Sequence, residues 1–232
     1  MTIYEHYRST SKSSKIREVI FGLEDGMVST LGAITGIAVG SDDPFVVILA
    51  GVVLISVESF SMAIGSYISN QSEYEINQQI IEEEKEEIRD YPEQESEELL
   101  QLFVRDGWPK DLAQQMTEAA AKKPELMLNE MVHRELLITH ESASSAFKNS
   151  LLMFFSYMAG GALPIIAYLL LPIKQAMPVS VGVTLLGLFS IGVYTANYAK
   201  ASWLKSGLRI LLLGVVSLSI GYLIGEAASL IK

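Results

Sequence analysis

The chain has 232 residues, no cysteine and a net charge of −10, and half of its residues are hydrophobic, for a mean hydropathy of +0.31. So apolar an average is rare in a soluble domain, a net acidic chain without basic patches excludes nucleic acid as a partner, and the lack of cysteine excludes disulfides and thiolate metal sites. The charge is unevenly placed: residues 71–149 hold 19 acids and 8 bases, and the rest of the chain holds 8 acids and 9 bases.

Residues 1–17 are polar, carry Arg8, Lys12, Lys15 and Arg17, and lack the apolar core of a cleaved signal peptide, so the first apolar segment is expected to stay in the mature protein. That segment is residues 19–40, VIFGLEDGMVSTLGAITGIAVG, and the turn SDDP separates it from a second at 45–69. Each is long enough to cross a bilayer, which takes roughly 20 mostly apolar residues. The acidic insert follows. It reads as helices over 71–90, 93–104, 110–121 and 125–148, broken at Tyr91-Pro92, at RDGWP (105–109) and at Lys122-Lys123-Pro124, because the residue before a proline avoids helical geometry. Three more apolar segments cover 151–171, 179–199 and 208–231.

The sequence thus predicts an all-α, polytopic membrane protein with five transmembrane helices and a cytoplasmic helical insert between the second and third. The parts run 1–70 for the tail and first two spans, 71–149 for the insert, and 150–232 for the last three spans. Orientation follows from positive residues, which mark the cytoplasmic side. They gather in the N-terminal tail and, as Lys200, Lys205 and Arg209, after the fourth span, which puts the N-terminus and insert inside and the C-terminus outside. Gly32, Gly36 and Gly40 in the first span, and Gly221 and Gly225 in the fifth, fall four apart and permit close helix approach, either within one chain or at a homodimer seam.

Carboxylates stand where lipid is expected: Glu24 and Asp25 in the first span and Glu58 in the second. At such depth each costs roughly 2.5–3.5 kcal/mol on insertion scales, so Asp25 and Glu58 are candidates for an ion path, whereas Glu24 can snorkel towards water. Met62 lies four residues from Glu58 on one helical face, and a thioether beside a carboxylate points to a transition metal rather than Mg²⁺ or Ca²⁺. In the insert, Glu84 and Glu87 share a face, as do Glu95 and Glu98, and Met127, Met131 and Glu135 step by four along the last helix. The proline break could fold these groups into an oxygen-rich cage with one or two sulfurs; a solvated acidic helix is the alternative. Glu130 and His133 have the Glu-x-x-His spacing of di-iron bundles, but that fold needs two such motifs and the chain has one.

REVIFGLEDGMVSTLGAITGIAVG at 17–40, SFSMAIGSYIS at 59–69 and GGALPIIAYLL at 160–170 resemble the first three spans of the vacuolar iron transporter family. The resemblance extends over essentially the whole chain and places Asp25 on the family's aspartate-glycine and Met62 on its pore methionine. Its E-x-x-E, proline, E-x-x-E pattern falls on Glu84, Glu87, Pro92, Glu95 and Glu98, and its M-M-x-x-E-L on Met131, Val132, Glu135 and Leu136. Two departures stand out. Val132 replaces the second methionine, and Leu54 stands where the family has a glutamate, so Glu58, one turn nearer Met62, is expected to take over.

The resemblance implies a dimeric, non-enzymatic antiporter that moves Fe²⁺ out of the cytosol against protons. Fe²⁺ is then both bound and transported, with Mn²⁺, Co²⁺ or Zn²⁺ as further cargo and no prosthetic group. The insert residues Glu84, Glu87, Glu95, Glu98, Met131 and Glu135 collect metal, and Asp25, Glu58 and Met62 line the pore. The membrane is either a prokaryotic plasma membrane or a vacuole-type membrane. The alternative is a membrane-anchored metal-binding or sensing protein that transports nothing.

Overall fold

The structure, a computed structural model, describes residues 3–138 and 143–231. The described residues form helices α1 (Ile3–Ser41), α2 (Pro44–Asp90), α3 (Pro92–Arg105), α4 (Lys110–Ala121), α5 (Pro124–Arg134), α6 (Ala143–Leu170), α7 (Ile173–Ala199) and α8 (Trp203–Ser229), with no strand among them. They make two compact units, one of residues 1–68 and 146–232, the other of residues 69–145, and α2 contributes its first part to one and its second to the other.

In the first unit, α2, α6, α7 and α8 are long and apolar enough to cross a membrane. The sequence predicts five spans; α1 falls short of that apolarity because Glu18, Glu24 and Asp25 interrupt its apolar residues. Its burial explains why it can. Met27, Leu31, Ile34 and Ala38 are all buried, and α1 packs chiefly on α8 and also on α7. By contrast α2 exposes Leu49, Val52, Val53, Val57, Phe60 and Ile64, and α8 exposes Leu212, Leu213, Val216, Ile220, Leu223 and Ile224. Apolar faces this extensive are not left against water by a soluble monomer; lipid is the solvent they fit.

Glycine sets how close the helices come. A Cβ on Gly36 would stand 2.6 Å from the Gly221 carbonyl oxygen, one on Gly225 would stand 2.9 Å from the Gly36 Cα, and one on Gly221 would overlap the Gly32 carbonyl oxygen. The two glycine repeats therefore serve a contact inside one chain, the first of the two uses their spacing allows. Ser217 Oγ donates to the Val28 carbonyl at 2.8 Å across the same seam. Nearer the start of the apolar part of α1, a Cβ at Gly22 would lie 2.8 Å from the Ser156 Cβ, and one at Gly26 would run into the Tyr157 carbonyl of α6. Gly221→Val is expected to force α8 off α1, since backbone cannot give way as a side-chain tip can, at a cost of at least about 1–3 kcal/mol. Thermal melting in detergent should fall by several degrees, and an unchanged melt would show that the seam is not close-packed.

The second unit is a small helical domain whose core is Leu99, Leu102, Phe103, Ala113, Ala120, Met127 and Met131. Proline opens α3 and α5 at the first turn, where its missing N–H costs nothing. Gly107, at φ +96°, closes the turn after α3 in a conformation that glycine adopts freely. One expectation is corrected. The sequence predicts a helix over 125–148, but α5 stops at Arg134 and α6 starts at Ala143. Leu137 takes the left-handed φ of +52°, and the Ile138 N–H turns back to the Val132 carbonyl at 3.3 Å. No proline or glycine marks this break in the sequence, so periodicity runs straight through it.

Candidate functional site

In the insert unit, three helices bring carboxylates to one place. Glu84 comes from the far half of α2, Glu95 from the first turn of α3 and Glu135 from the cap residue just past α5. One oxygen from each lies within 4.8 Å of the others, a spread that one cation can bridge. The Tyr91-Pro92 break makes this possible, because it interrupts the helix between Glu84 and Glu95, which one straight helix would hold far apart. Glu84 is only 4% exposed and its Oε1 has no hydrogen-bond partner, which is costly for a carboxylate without a cation or proton.

The electrostatics agree with the geometry. Burial first, and then the charges of Glu135, Glu95, Glu87 and Glu98, push the Glu84 carboxyl up to about 7. Burial followed by Glu98 and Glu87 also raises Glu95, against a hydrogen bond with Glu84 that pulls it down. Glu135 sits at the exposed edge, yet partial burial and then Glu98, Glu95 and Glu87 raise it as well. Glu87 and Glu98 are exposed and act on the other three as a rim of negative charge. Met131 is fully buried in the apolar core beside Met127, one turn before Glu135. Glu130 is ion-paired to Arg134 at 2.8 Å and His133 is exposed, so neither half of the Glu-x-x-His match joins the carboxylate group.

In the apolar unit, Asp25 of α1 and Glu58 of α2 are half-buried and close enough to act on each other electrostatically. Both also act on Tyr157 of α6, which is fully buried. Tyr157 shares a 2.6 Å hydrogen bond with Ser29, whose hydroxyl also reaches the Asp25 carbonyl at 2.7 Å. Met62, half-buried, is one turn beyond Glu58 on the same helix, and Leu54 is one turn before it.

Two residues here escape a reading of the sequence. Tyr157 is one tyrosine among ten, and only the packing of α6 on α1 sets it beside the carboxylates. Glu18 is buried at 6% exposure, is bonded by Ser66 Oγ of α2 at 3.1 Å, and has Arg17 at 3.5 Å. Its signal is the Arg-Glu opening at 17–18, which stands just before the apolar segment that begins at Val19.

A family model described as the VIT family matches residues 16–226. Similar proteins include vacuolar iron transporter 1 of Tulipa gesneriana, 24% identical over 224 residues, which cover 96% of this chain and 90% of that one. Vacuolar iron transporter 1 of Eucalyptus grandis is 26% identical over 203 residues, 87% of this chain and 82% of that one. The vacuolar iron transporter of Plasmodium berghei (strain Anka) is 23% identical over 241 residues, 96% and 88% of the two chains.

Proposed function

This chain belongs to the vacuolar iron transporter family, and we propose that it is an integral membrane metal transporter that carries Fe²⁺ out of the cytosol in exchange for protons. The observation that carries the reading is the pair Asp25 and Glu58, on two helices, in a unit whose outer faces are apolar. Carboxylates so placed are retained at a cost of roughly 2.5–3.5 kcal/mol each, and a passing cation offsets it.

The proposed path starts in the cytosol. Glu84, Glu95 and Glu135 collect the ion, Glu87 and Glu98 attract it, and Met131 offers a thioether from the core side. The ion then passes between α1 and α2, where Asp25, Glu58 and Met62 hold it. A carboxylate can carry either a divalent ion or protons, so one site can couple opposite flows of the two. Retention must stay weak enough for release on the far side. In this reading the N-terminus and insert are cytoplasmic, α1 is the fifth span, and the protein works as a homodimer. Mn²⁺, Co²⁺ and Zn²⁺ suit the same ligands, because selectivity among them follows geometry and availability as much as ligand type.

Fe²⁺ flux into vesicles with a trapped pH dye tests the proposal: influx should be matched by proton efflux. Flux without proton movement overturns the exchange, and no flux at all favours a membrane-anchored metal sensor, a reading that the separate compactness of the insert unit supports. Glu58→Gln separates this chain's solution from the usual one. If Glu58 does the work of the glutamate missing at Leu54, the variant loses most of its flux, about tenfold or more. A Leu54→Glu, Glu58→Gln double variant should recover part of it. Full activity in Glu58→Gln would remove that residue from the path.

A further inference from the structure

We propose that Arg134 is a positioning residue for the insert's metal ligands: a cation held away from the carboxylate group so that it aligns Glu135 without competing for it. The inference rests on the reading of Glu84, Glu95 and Glu135 as metal ligands. Arg134 is adjacent to Glu135 in sequence, so a positive charge stands beside five glutamates that carry none of their own. Left loose, it would pair with Glu135 and neutralise the site.

The structure engages it elsewhere on every side. Its Nε donates to Glu130 Oε2 at 2.8 Å, and its Nη1 pairs with Asp106 Oδ2. Its guanidinium carbon lies 4.5 Å from the centre of the Phe103 ring. Its own carbonyl accepts from Arg105 Nη2 at 3.1 Å. The charges that act on Arg134 are those of Glu130 and Asp106, and none of the five cluster glutamates is among them. The side chain is 17% exposed and its planar fork is held by two carboxylates, one on each of two donors.

The clamp has a direction. Asp106 caps the end of α3, the helix that carries Glu95 and Glu98, and Phe103 belongs to the same helix. Arg134 ends α5, and Glu135 follows at once, its N–H on the Met131 carbonyl at 2.8 Å. Tying Arg134 to Asp106 and Phe103 therefore fixes the end of α5 against the end of α3, and with it the distance between Glu135 and Glu95. Partners one step behind metal ligands typically change affinity by about 10–100-fold when removed.

The test uses the full chain in detergent micelles with Mn²⁺ as the probe, read by calorimetry beside a melt of the metal-free protein. Arg134→Gln is expected to weaken Mn²⁺ about 10–100-fold. The isosteric double variant Asp106→Asn, Glu130→Gln keeps Arg134 but frees it, and is expected to bind more weakly still. Adding Arg134→Gln to that double variant should bring affinity back up to that of Arg134→Gln alone. A purely structural clamp predicts no such recovery, since a third substitution only loosens it further. The inference is overturned if the double variant binds like wild type or the triple variant binds no better than the double. If Arg134→Gln fails to fold, Arg134→Lys on the same background answers in its place: keeping the charge, it should leave affinity as low as in the double variant, and recovery there overturns the inference. Glu135→Gln is run alongside: Mn²⁺ binding unchanged in that variant defeats the ligand reading itself, not only the role of Arg134.

Discussion

Asp25→Ala is expected to stop Fe²⁺ flux, by at least about tenfold and so at least about 1.4 kcal/mol in the barrier, while Mn²⁺ binding by the insert stays unchanged. The reason lies in what surrounds the residue. Asp25 is on the helix with the most interior position in the apolar unit, and Glu58 and Tyr157 converge on it from α2 and α6. An ion in that space has few charged partners, so losing one carboxylate removes a large share of the attraction in a medium that screens little. Asp25→Asn keeps the shape and the capacity to accept a hydrogen bond but not the charge, and it should fail as the alanine does. Flux by either variant at the wild-type rate would take Asp25 out of the path. Loss of insert binding as well would mean that the substitution had damaged folding rather than conduction.

Metal affinity of the insert is expected to climb with pH up to about 7 and then level off. Glu84 ordinarily titrates near 4.5 and is held at about 7 in the folded chain, with burial the first cause. The sign for stability follows directly. The folded state binds the proton more tightly than the unfolded one, so this group's contribution to stability is fully present below 4.5 and is lost as pH rises through about 7. At neutral pH the metal-free insert therefore bears the cost of a carboxylate that is buried first and crowded by other carboxylates second, and a cation that replaces the proton restores stability by mass action. Binding requires the carboxylate form, so it releases protons below about pH 7 and few above it. Calorimetry in two buffers with different heats of ionisation, at about pH 6 and about pH 8, measures that release. Glu84→Gln should flatten the dependence and weaken Mn²⁺ by at least about tenfold. Equal affinity at the two pH values in the wild type would show that Glu84 takes no part.

The two carboxylate groups differ in a way that suits their proposed tasks. In the insert, five glutamates act on one another while Arg134 is engaged by Glu130 and Asp106, which favours capture. In the apolar unit, two carboxylates stand with a tyrosine and a serine hydroxyl, a sparser set from which an ion can leave. Conduction needs that gradation, since a site that binds too well does not pass its ion on.

Most helix positions are legible in the chain alone, because apolar runs and proline breaks act within a few residues of where they stand. The sequence also shows that Asp25 and Glu58 lie in apolar helices and that Glu84, Glu95 and Glu135 lie in an acidic insert. Which carboxylates meet is settled by packing. Glu84, Glu95 and Glu135 converge while Glu87 and Glu98 stay at the rim, although the spacing within each pair is the same. Packing also decided that α5 ends at Arg134, whose side chain is held by Asp106 and Phe103 outside that helix, although periodicity alone would carry the helix on. The same holds for Tyr157, which reaches the carboxylates only because glycines let α6 close on α1. Spacing along a helix tells which side chains share a face, but which faces meet depends on how the helices pack, and that is a property of the whole chain.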